Sequence, residues 1–419
     1  MGNDAIAKDF DVVVVGGGAA GIAAAVGAAQ SGATVCLIEQ YGFLGGAATN
    51  SSVLTHCGFF DQMKRQVVAG VGQQVLDGLA NYRTYRTQTF EPTGNTVVLL
   101  DLETTKSIFD EIVIAAGVHL MLHCQVISAS LAGGLVTFVE TVHRGGRRRI
   151  TARSFVDCNG DGTLLSVSSA AAAVSAIEQR QASTLVIRMG GVPEDADLSS
   201  GGILSAVRAC QDQTGNSLPR ETGVSVRMPI TREVMLLFAD QHGDALDVDK
   251  LTQAEIQGRQ LSWKYLAAFT RFLPGWSNSY ISSTGPQIGI RETRRLRGVD
   301  MVCASDVSSG RKRPLDAIAR CGWPMEDHST PGITKYERIK DRGWYHIPYG
   351  AICSDSVPNL WAGGRLVSSD RRAYASLRVM GTSFATGHAC GVASAVYAQT
   401  GHHDYPRTRK LLQEQGALI

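Results

Sequence analysis

Residues 10–21 read FDVVVVGGGAAG, an apolar, β-branched run that leads directly into three glycines. Such a run is typical of a strand buried on both faces of a parallel sheet. Residues 19–30 then read as a helix of small residues, and Gly32 follows as a stop signal. Residues 33–38 predict a second strand, which Glu39 ends. This order of strand, glycine turn, helix, strand and acid predicts a Rossmann-type unit that binds a dinucleotide.

The glycine turn has the spacing G-x-G-x-x-G at Gly16, Gly18 and Gly21. In such a turn the first glycine permits the tight bend, the second lets the backbone approach a pyrophosphate, and the third lets the helix pack closely on the sheet. The helix that begins with Ala19 and Ala20 offers free N–H groups and the positive end of its dipole to the phosphates. We therefore expect all five residues to contact a cofactor.

The residue that ends the second strand indicates which nucleotide binds. Glu39 lies close to the ~20-residue spacing at which an acid accepts ribose hydroxyls, and its charge disfavours the 2′-phosphate of NADP. Gln40 follows it, and then a second glycine-rich loop at residues 41–50. A loop there suits a ligand longer than the ADP half, because it can run beneath a ribityl chain towards a flavin. The predicted contacts of this loop are Gly45, Gly46, Ala47 and Thr49.

A second anion-binding helix start is predicted near the other end of the chain. Residues 359–365, NLWAGGR, read as a short strand that closes on a glycine turn. Residues 379–387 open a helix of small residues that runs to about residue 397, and their glycines and threonines leave a free N-terminus. If this N-terminus points at N1 and O2 of a flavin, it favours the reduced ring. The predicted contacts are Gly364, Arg365, Met380, Gly381 and Thr382.

The sequence resembles the FAD-dependent oxidoreductases with a glutathione-reductase-type flavin domain, and most of all the bacterial proteins of that general name. Besides the motifs above, residues 155–162, FVDCNGDG, resemble the family's strand-then-glycine motif beside FAD. Residues 291–298, RETRRLRG, resemble its arginine-rich motif, and residues 345–350, YHIPYG, resemble its approach to the last flavin-domain strand. The resemblance runs from residue 10 to about residue 397, and none of its motifs specifies a substrate.

The resemblance implies further cofactor contacts. Gly160 and Asp161 would lie beside FAD, and the backbone near Val126 would pair with the adenine edge. The chain departs from the family at Cys158 and Asn159, where relatives usually have Ala followed by Thr or Ser. We expect the larger thiol to shift local packing without preventing cofactor binding.

The resemblance also implies an α/β fold in which a Rossmann-type FAD-binding domain is discontinuous. That domain would comprise residues 5–57, 102–181 and 346–398. A substrate domain of mainly antiparallel sheet and helices would comprise residues 58–101 and 182–345. The middle of the chain has no second G-x-G-x-x-G and no CxxC, which disulfide reductases use for NADPH and for electron transfer. Electrons are therefore expected to enter from an organic substrate and to leave to oxygen, a quinone or another acceptor.

Proton transfer must come from the protein, because a flavin supplies the electron chemistry. Histidine is the first residue type to consider, since its ordinary pKa of about 6.5 lies near working pH. His56 follows the second glycine loop and His346 leads into the last flavin-domain strand, so both are candidate catalytic bases. For each, a structural hydrogen-bonded histidine is the alternative. His56 or Cys57 is also a candidate for covalent attachment of the flavin.

Four arginines are candidates to bind an anionic substrate, because a guanidinium forks onto a carboxylate. They are Arg188, Arg291, Arg372 and Arg378, and ion pairing within the fold is the alternative for each. Tyr374 lies just before the flavin-facing helix. Its phenol is predicted either to face the ring and the substrate or to pack in the core.

The composition excludes several classes of partner. The 40 basic and 38 acidic residues give a net charge of +2, which does not predict nucleic-acid binding. Nine cysteines without a CxxC pair disfavour disulfides and a metal site, and they favour the cytoplasm. Residues 1–9 are too polar for a signal peptide, and no apolar run reaches the ~18 residues of a membrane span. A small-molecule substrate is expected, and a homo-oligomer stays open.

Together these patterns predict an FAD-dependent oxidoreductase. The predicted reaction is that of a dehydrogenase or oxidase, in which a hydride passes from a small organic substrate to flavin N5. Two alternatives remain at this point: a flavin-dependent monooxygenase that uses an external reductant, and a non-redox protein in which FAD only holds the fold.

Overall fold

The computed structural model describes residues 10–90, 93–215 and 217–419. Residues 5–9 of the first predicted domain segment, and the polar N-terminal stretch discussed above, lie outside the described residues. The strands of the described part are, in chain order, β1 (Phe10–Val15), β2 (Val35–Ile38), β3 (Thr55–Cys57), β4 (Arg86–Phe90), β5 (Asn95–Leu99), β6 (His119–Met121), β7 (Gln125–Ala132), β8 (Leu135–His143), β9 (Gly146–Asp157), β10 (Ala172–Val174), β11 (Ser183–Gly190), β12 (Val224–Arg227), β13 (Val234–Gln241), β14 (Tyr280–Thr284), β15 (Arg294–Leu296), β16 (Ala317–Cys321), β17 (Met325–Asp327), β18 (Lys335–Glu337), β19 (Tyr345–Pro348) and β20 (Leu360–Ala362).

The α-helices are α1 (Ala19–Gln30), α2 (Val71–Asn81), α3 (Leu102–Ala115), α4 (Thr163–Val167), α5 (Ser200–Thr214), α6 (Val248–Phe272), α7 (Ala304–Ser309), α8 (Arg371–Leu377), α9 (Met380–Thr400) and α10 (Tyr405–Glu414). Short 3₁₀ helices lie at Ile177–Gln179, Lys340–Arg342, Tyr349–Ala351 and Gly364–Leu366.

A mostly parallel sheet forms the centre of the molecule. Its parallel strands lie in the order β6–β2–β1–β9–β20, with α1 as the crossover between β1 and β2. The long strand β9 also pairs antiparallel with β8, and β8 pairs antiparallel with β7. Val12 of β1 faces Val35 on one side and Ser154 on the other, so the apolar run at the start of the chain is buried inside the sheet. The predicted α/β fold class is confirmed.

Helices α1 and α9 pack against each other through their backbones. A Cβ added to Gly387 or to Gly391 would lie 2.0 Å from the carbonyl oxygen of Ala20 or Ala24, respectively. Only glycine permits so close an approach, which explains why both helices are rich in small residues. As a result, the N-termini of two helices from opposite ends of the chain lie near the same edge of the sheet.

The predicted antiparallel sheet of the second region is also present, in the order β12–β13–β11–β14. Side chains alternate along β11, so Leu185 and Ile187 pack with α5 and α6, whereas Val186 faces the opposite way. Asp247 is the N-cap of helix α6, and its side chain accepts two backbone N–H groups of the first turn. One face of this sheet is therefore covered by helices, and the other is turned towards the central sheet.

Packing crosses the predicted domain boundaries at two places. Strand β3 ends at Cys57 and pairs with β5, so a small sheet in the order β3–β5–β4 spans the boundary at residue 57. Helix α2 shares a hydrophobic core with α1 and α9. Strand β19 likewise pairs with β16 across the boundary at residue 346. Residues 58–101 thus pack with the elements around the central sheet as well as with the second region.

Candidate functional site

A cavity of about 370 Å³ lies at the carboxyl ends of β1, β2 and β9, and we call it the glycine-loop cavity. The glycine turn after β1, the loop at residues 41–50 and the start of α9 enclose it. Most of the predicted cofactor contacts border this cavity: Gly16, Gly18, Ala19, Ala20, Glu39, Gln40, Gly45, Gly46, Ala47, Val126, Gly160, Asp161, Arg365 and Met380. The structure therefore brings motifs from both ends of the chain to one site.

Two predicted glycine contacts instead serve packing. A Cβ on Gly21 would lie 1.7 Å from the carbonyl oxygen of Gly16, and one on Gly381 would lie 2.5 Å from the carbonyl carbon of Gly58. Neither glycine borders the glycine-loop cavity. Both permit a close approach of two backbone segments in the layer of residues that packs behind the cavity lining.

Three other predicted contacts also lie behind the cavity wall. The Thr49 hydroxyl donates to the backbone oxygen of Leu44 at 2.6 Å and so closes the second glycine loop. The Thr382 hydroxyl oxygen lies 3.3 Å from the Cys321 sulfur, on the side of α9 that faces the core. The Gly364 N–H donates to a threonine hydroxyl of α9 at 3.1 Å. These residues position the lining residues and do not form the lining.

The starts of α1 and α9 give the glycine-loop cavity an affinity for anions. The N-cap residues are Gly18 and Val379, and neither provides a side chain that caps the helix. Neither first turn contains an acidic residue. The free N–H groups and the positive dipole ends of both helices are therefore available to negative groups of a ligand. Two such helix ends on one cavity fit the diphosphate and the electron-rich ring edge of FAD.

Gly18 leaves room for that ligand. A Cβ on Gly18 would meet Gly46 Cα at 3.6 Å, which is an ordinary contact, so the protein alone does not require glycine here. Both residues border the cavity. The absent side chain instead enlarges the space between the two glycine loops, where a phosphate group would lie.

The Glu39 carboxylate is fixed at the cavity wall. Its two oxygens accept the backbone N–H groups of Gly17, at 2.6 Å, and of Tyr41, at 3.0 Å. Burial raises the pKa of Glu39, and these backbone hydrogen bonds oppose that rise. Each carboxylate oxygen keeps a second acceptor position, so the side chain can still accept ribose hydroxyls.

The departure at Cys158 and Asn159 is accommodated in the turn after β9. The Asn159 side-chain oxygen accepts the N–H groups of three following residues, at 2.9, 2.8 and 3.3 Å, and so helps to start α4. Cys158 is buried and borders the cavity. Asp161 pairs with Arg365 at 3.1 Å across the same wall.

A larger cavity of about 590 Å³ adjoins the first, and we call it the apolar cavity. Five residues border both cavities: Ala47, Ile290, Arg365, Arg378 and Met380. The walls of the apolar cavity come mainly from β3, β4, β5 and the face of the antiparallel sheet that α5 and α6 leave open. Its apolar lining includes Val53, Phe90, Val97, Val186, Val224, Leu237 and Ile333.

One end of the apolar cavity carries a polar network centred on Glu326. Its Oε1 lies 3.2 Å from His328 Nε2 and accepts the Tyr336 hydroxyl at 2.9 Å, while Oε2 accepts the Trp323 N–H at 2.8 Å. On the other side of the imidazole, the Thr334 hydroxyl lies 3.2 Å from Nδ1. This network assigns a tautomer in which Nε2–H donates to Glu326 and Nδ1 accepts from Thr334.

Burial sets the charges of this pair. It lowers the pKa of His328 to about 4, and the positive charge of Arg291 contributes in the same direction. Burial acts to raise the pKa of Glu326, but the hydrogen bond from His328 and the charge of Arg378 hold it below its usual range. At neutral pH the pair is a neutral imidazole beside a carboxylate.

Two of the predicted substrate-binding residues, Arg291 and Arg378, border the apolar cavity. The other three, Arg188, Arg372 and Tyr374, do not. Arg188 forms an ion pair with Glu233, and the Tyr374 hydroxyl donates to the backbone oxygen of Arg291 at 2.5 Å. Their alternative roles, in ion pairing and core packing, agree with these contacts. Arg372 lies at the surface, where it pairs with Glu337.

His56 borders neither cavity. Its ring is fully buried among Phe59, Phe109 and Phe384, and neither ring nitrogen has a hydrogen-bond partner among the described residues. Side chains alternate along β3, so Cys57 faces the apolar cavity while His56 faces the core. The prediction of His56 as a catalytic base is therefore not supported by its position.

His346 also lies away from both cavities. It belongs to β19, its ring contacts that of Trp344 at a tilted angle, and its Nδ1 accepts the backbone N–H of Arg313 at 2.7 Å. These contacts agree with the alternative role of His346 as a structural, hydrogen-bonded histidine. His328 was missed because it lies outside every recognised motif, and only the fold brings it to the cavity.

No helix in the described ranges combines the length and the apolar character that a membrane crossing requires.

The model of the family described as "FAD dependent oxidoreductase" matches residues 11–412. An NADH:fumarate oxidoreductase of Klebsiella pneumoniae (strain 342) is 49% identical over 51 residues, which are 12% of this chain and 6% of that protein. An aerobic glycerol-3-phosphate dehydrogenase of Staphylococcus saprophyticus is 36% identical over 69 residues, which are 16% of this chain and 12% of that protein. The matched stretches are thus small parts of both relatives.

Among solved structures, a geranylgeranyl bacteriochlorophyll reductase-like protein from Thermoplasma acidophilum superimposes with a TM-score of 0.52. The alignment covers 97% of this chain and 83% of that chain at 13% identity. At this identity the likeness shows the fold alone.

Proposed function

Because the chain belongs to the FAD dependent oxidoreductase family and uses FAD, we propose that it is a dehydrogenase or oxidase that takes a hydride from a small organic substrate. When bound, FAD supplies the two-electron acceptor, with N5 as the hydride-accepting atom. The predicted cofactor contacts of the glycine-loop cavity would hold it. The substrate would bind in the apolar cavity.

One observation carries this proposal: the two cavities share a wall at the N-terminus of α9, where Arg378 and Met380 border both. A cofactor in one cavity and a substrate in the other can therefore be in contact with each other. Apolar lining on the substrate side excludes water, which would otherwise compete for the reacting atoms. A mainly apolar cavity of this size with a few convergent polar groups is the usual form of a small-molecule site.

His328 is our proposed catalytic base in place of His56 and His346. It is neutral, and Nδ1 faces Thr334, a residue that also borders the apolar cavity. A substrate hydroxyl or amine that displaced the Thr334 hydroxyl would give its proton to Nδ1. Glu326, hydrogen-bonded to Nε2, would hold the ring and stabilise the resulting imidazolium.

The test is anaerobic reduction of the flavin in purified protein, reconstituted with FAD where necessary. We expect at least one compound in a panel of alcohols, amines and hydroxy acids to bleach the yellow oxidised flavin. Dithionite serves as the control for reducible flavin. A flavin that dithionite bleaches and no organic compound reduces would count against the proposal and favour a non-redox role.

The monooxygenase alternative predicts a different result when flavin reduction is measured in the same way. It requires reduction by NADH or NADPH, followed by ¹⁸O in the product when ¹⁸O₂ is admitted. We expect no isotope in the product. A labelled product would replace the proposed reaction with oxygen insertion.

A cytoplasmic location and a homo-oligomer stay predictions. Cell fractionation tests the first, and light scattering of the purified protein tests the second.

A further inference from the structure

We propose that the substrate of the apolar cavity is a carboxylate with an apolar body, and that its carboxylate group binds Arg291 and Arg378. This inference deepens the proposed function, because it names the substrate class for the same cavity. It stands on the charges and contacts of the cavity wall, and these can be tested by binding alone.

The cavity wall carries more positive than negative charge. Four arginines border it: Arg220, Arg291, Arg365 and Arg378. Three carboxylates lie near them: Asp161, which pairs with Arg365; Asp240, which pairs with Arg220 at 2.7 Å; and Glu326, whose pKa the charge of Arg378 lowers. The histidine beside Glu326 is neutral at pH 7. Within the protein itself one positive charge therefore remains uncompensated, and a single anionic group on the ligand would balance it.

Arg291 is incompletely satisfied by the protein. Its Nη1 donates to the backbone oxygen of Ala182 and to the Thr184 hydroxyl, both at 2.5 Å. Its closest carboxylate oxygen, on Asp240, is 3.9 Å away, and that group is engaged by Arg220. Among the described residues, Nε and Nη2 of Arg291 have no hydrogen-bond acceptor. Burial lowers the pKa of Arg291 to about 10, so the guanidinium remains charged at neutral pH but lacks solvation.

Arg378 is held by neutral groups. Its Nε donates to the Gln181 side-chain oxygen at 3.2 Å, and its Nη2 donates to the backbone oxygen of Glu326 at 3.0 Å. It forms no ion pair with any residue in the described ranges. Both Arg291 and Arg378 border the apolar cavity, and the charge of Arg378 lowers the pKa of Arg291. Among the described residues, Nη1 of Arg378 has no hydrogen-bond acceptor.

The shape of the site favours a carboxylate over a phosphate. A guanidinium presents planar paired donors that match a carboxylate, and a carboxylate brings the one negative charge that the wall lacks. A phosphate monoester would bring a second charge, with Glu326 and Asp240 already near. The remaining wall is mainly apolar, with valine, leucine, isoleucine and phenylalanine side chains beside several threonines, and it suits an apolar body better than a sugar.

The experiment compares acids with their neutral isosteres by calorimetric titration of the holoprotein at pH 7. The probes are octanoate with octanamide, and phenylacetate with phenylacetamide. We expect the acid of at least one pair to bind about tenfold or more tightly than its amide, because hydrogen bonds to charged groups are worth that much. Added chloride should weaken binding of the acid and leave that of the amide unchanged.

Three variants locate the carboxylate. Arg291→Gln and Arg378→Gln should each weaken acid binding about tenfold or more and leave amide binding unchanged. Arg372→Gln, at a surface arginine outside the cavity, is the matched control and should bind acids as the wild type does. Flavin content of each variant reports whether it folds. If a cavity variant lost its flavin, carboxylate binding would be judged from the wild type alone, by the difference in affinity between acid and amide and by the effect of chloride.

Equal affinity for acid and amide, or no binding of either acid, would overturn the inference. So would unchanged acid binding in folded Arg291→Gln and Arg378→Gln. Failure of the proposed function looks different: acids bind in the arginine-dependent manner, but no compound bleaches the flavin. Conversely, bleaching by neutral compounds alone would leave the oxidoreductase reaction in place and remove the carboxylate.

Discussion

The two adjoining cavities are built in different ways. The glycine-loop cavity is formed by three short loops and two helix starts, and the groups that it offers to a ligand include the uncapped backbone N–H groups of those helix starts. The apolar cavity is formed by side chains from many segments between Val53 and Met380. A backbone site follows local rules of turn and helix geometry. A side-chain site exists only after distant strands have paired.

The largest expected effect is at the glycine-loop cavity. Gly18→Val fills the space between the two glycine loops with methyl groups, so we expect FAD binding to be lost and activity with it. The backbone at Gly18 is extended, with φ −75° and ψ −174°, so valine fits the chain itself. The measurement is flavin content after purification and reconstitution.

Gly201→Val is the matched control for that variant. A Cβ at Gly201 would meet only Ser199 Oγ, at 4.0 Å, on the exposed start of α5. We expect full flavin content there. A yellow Gly18→Val protein would show that the phosphates do not pass between these loops.

The sequence predicted the glycine-loop cavity well for a physical reason. Bends, close approaches and uncapped helix starts require particular residues at fixed spacings, so Gly16, Gly18 and Glu39 could be placed before any fold was known. Gly21 and Gly381 were predicted as cofactor contacts, whereas they pack behind the wall. A glycine that admits a ligand and a glycine that admits another backbone have the same sequence pattern.

The second prediction tests the apolar cavity. His328→Gln keeps a hydrogen-bonding group of similar length but cannot take up a proton. We expect anaerobic flavin reduction to slow by about 10²–10⁴-fold, the usual contribution of a general base, with flavin still bound. Stopped-flow reduction by the best substrate of the panel measures this rate.

His346→Gln is the control, because that ring lies outside both cavities. Its reduction rate should stay within about twofold of the wild type, since no transition-state contact is lost. Equal slowing in both variants would mean that His328 acts through general loss of structure and not as a base.

The sequence could not predict this second site. Residues 325–328 read MEDH and carry no recognised motif, and His328 meets Thr334 only because of the loop that follows β17. Proximity to a motif was also misleading for His56, because neighbouring residues of a strand face opposite sides. Which side of β3 faces a ligand depends on β5 and on the sheet beyond it, and a single segment does not contain that information.

A smaller effect is expected from the Glu39 carboxylate at the wall of the glycine-loop cavity. Glu39→Gln keeps the shape but replaces a carboxylate that accepts two backbone N–H groups. We expect FAD affinity to fall by about tenfold, the effect of one hydrogen bond to a charged group. Fluorescence titration of the apoprotein with FAD measures it. A loss as complete as that of Gly18→Val would mean that the side chain, and not the backbone, dominates this cavity.

The smallest effect concerns His56, which lies beside the apolar cavity without reaching it. His56→Leu removes two ring nitrogens that have no hydrogen-bond partner among the described residues. The free energy of unfolding should rise by about 1 kcal/mol at pH 7, because an unsatisfied buried polar group is lost. Activity should not change, in contrast to His328→Gln.

The gain in the free energy of unfolding from His56→Leu should be larger at acidic pH. This pH dependence tests whether the His56 ring is a core residue. Burial lowers the pKa of His56 to about 3, whereas the unfolded chain has an ordinary histidine pKa of about 6.5. As the pH falls from 6.5 towards 3, only the unfolded state takes up the proton, so the wild type loses stability that the leucine variant keeps. At pH 5 this adds about 2 kcal/mol to the advantage of the variant.

Urea unfolding at pH 7 and pH 5 measures the difference, with His402→Leu at the exposed end of α9 as the control. If His56→Leu gained nothing in acid but abolished flavin reduction, the ring would reach the reacting atoms after all. His56 would then belong to the substrate site and not to the hydrophobic core.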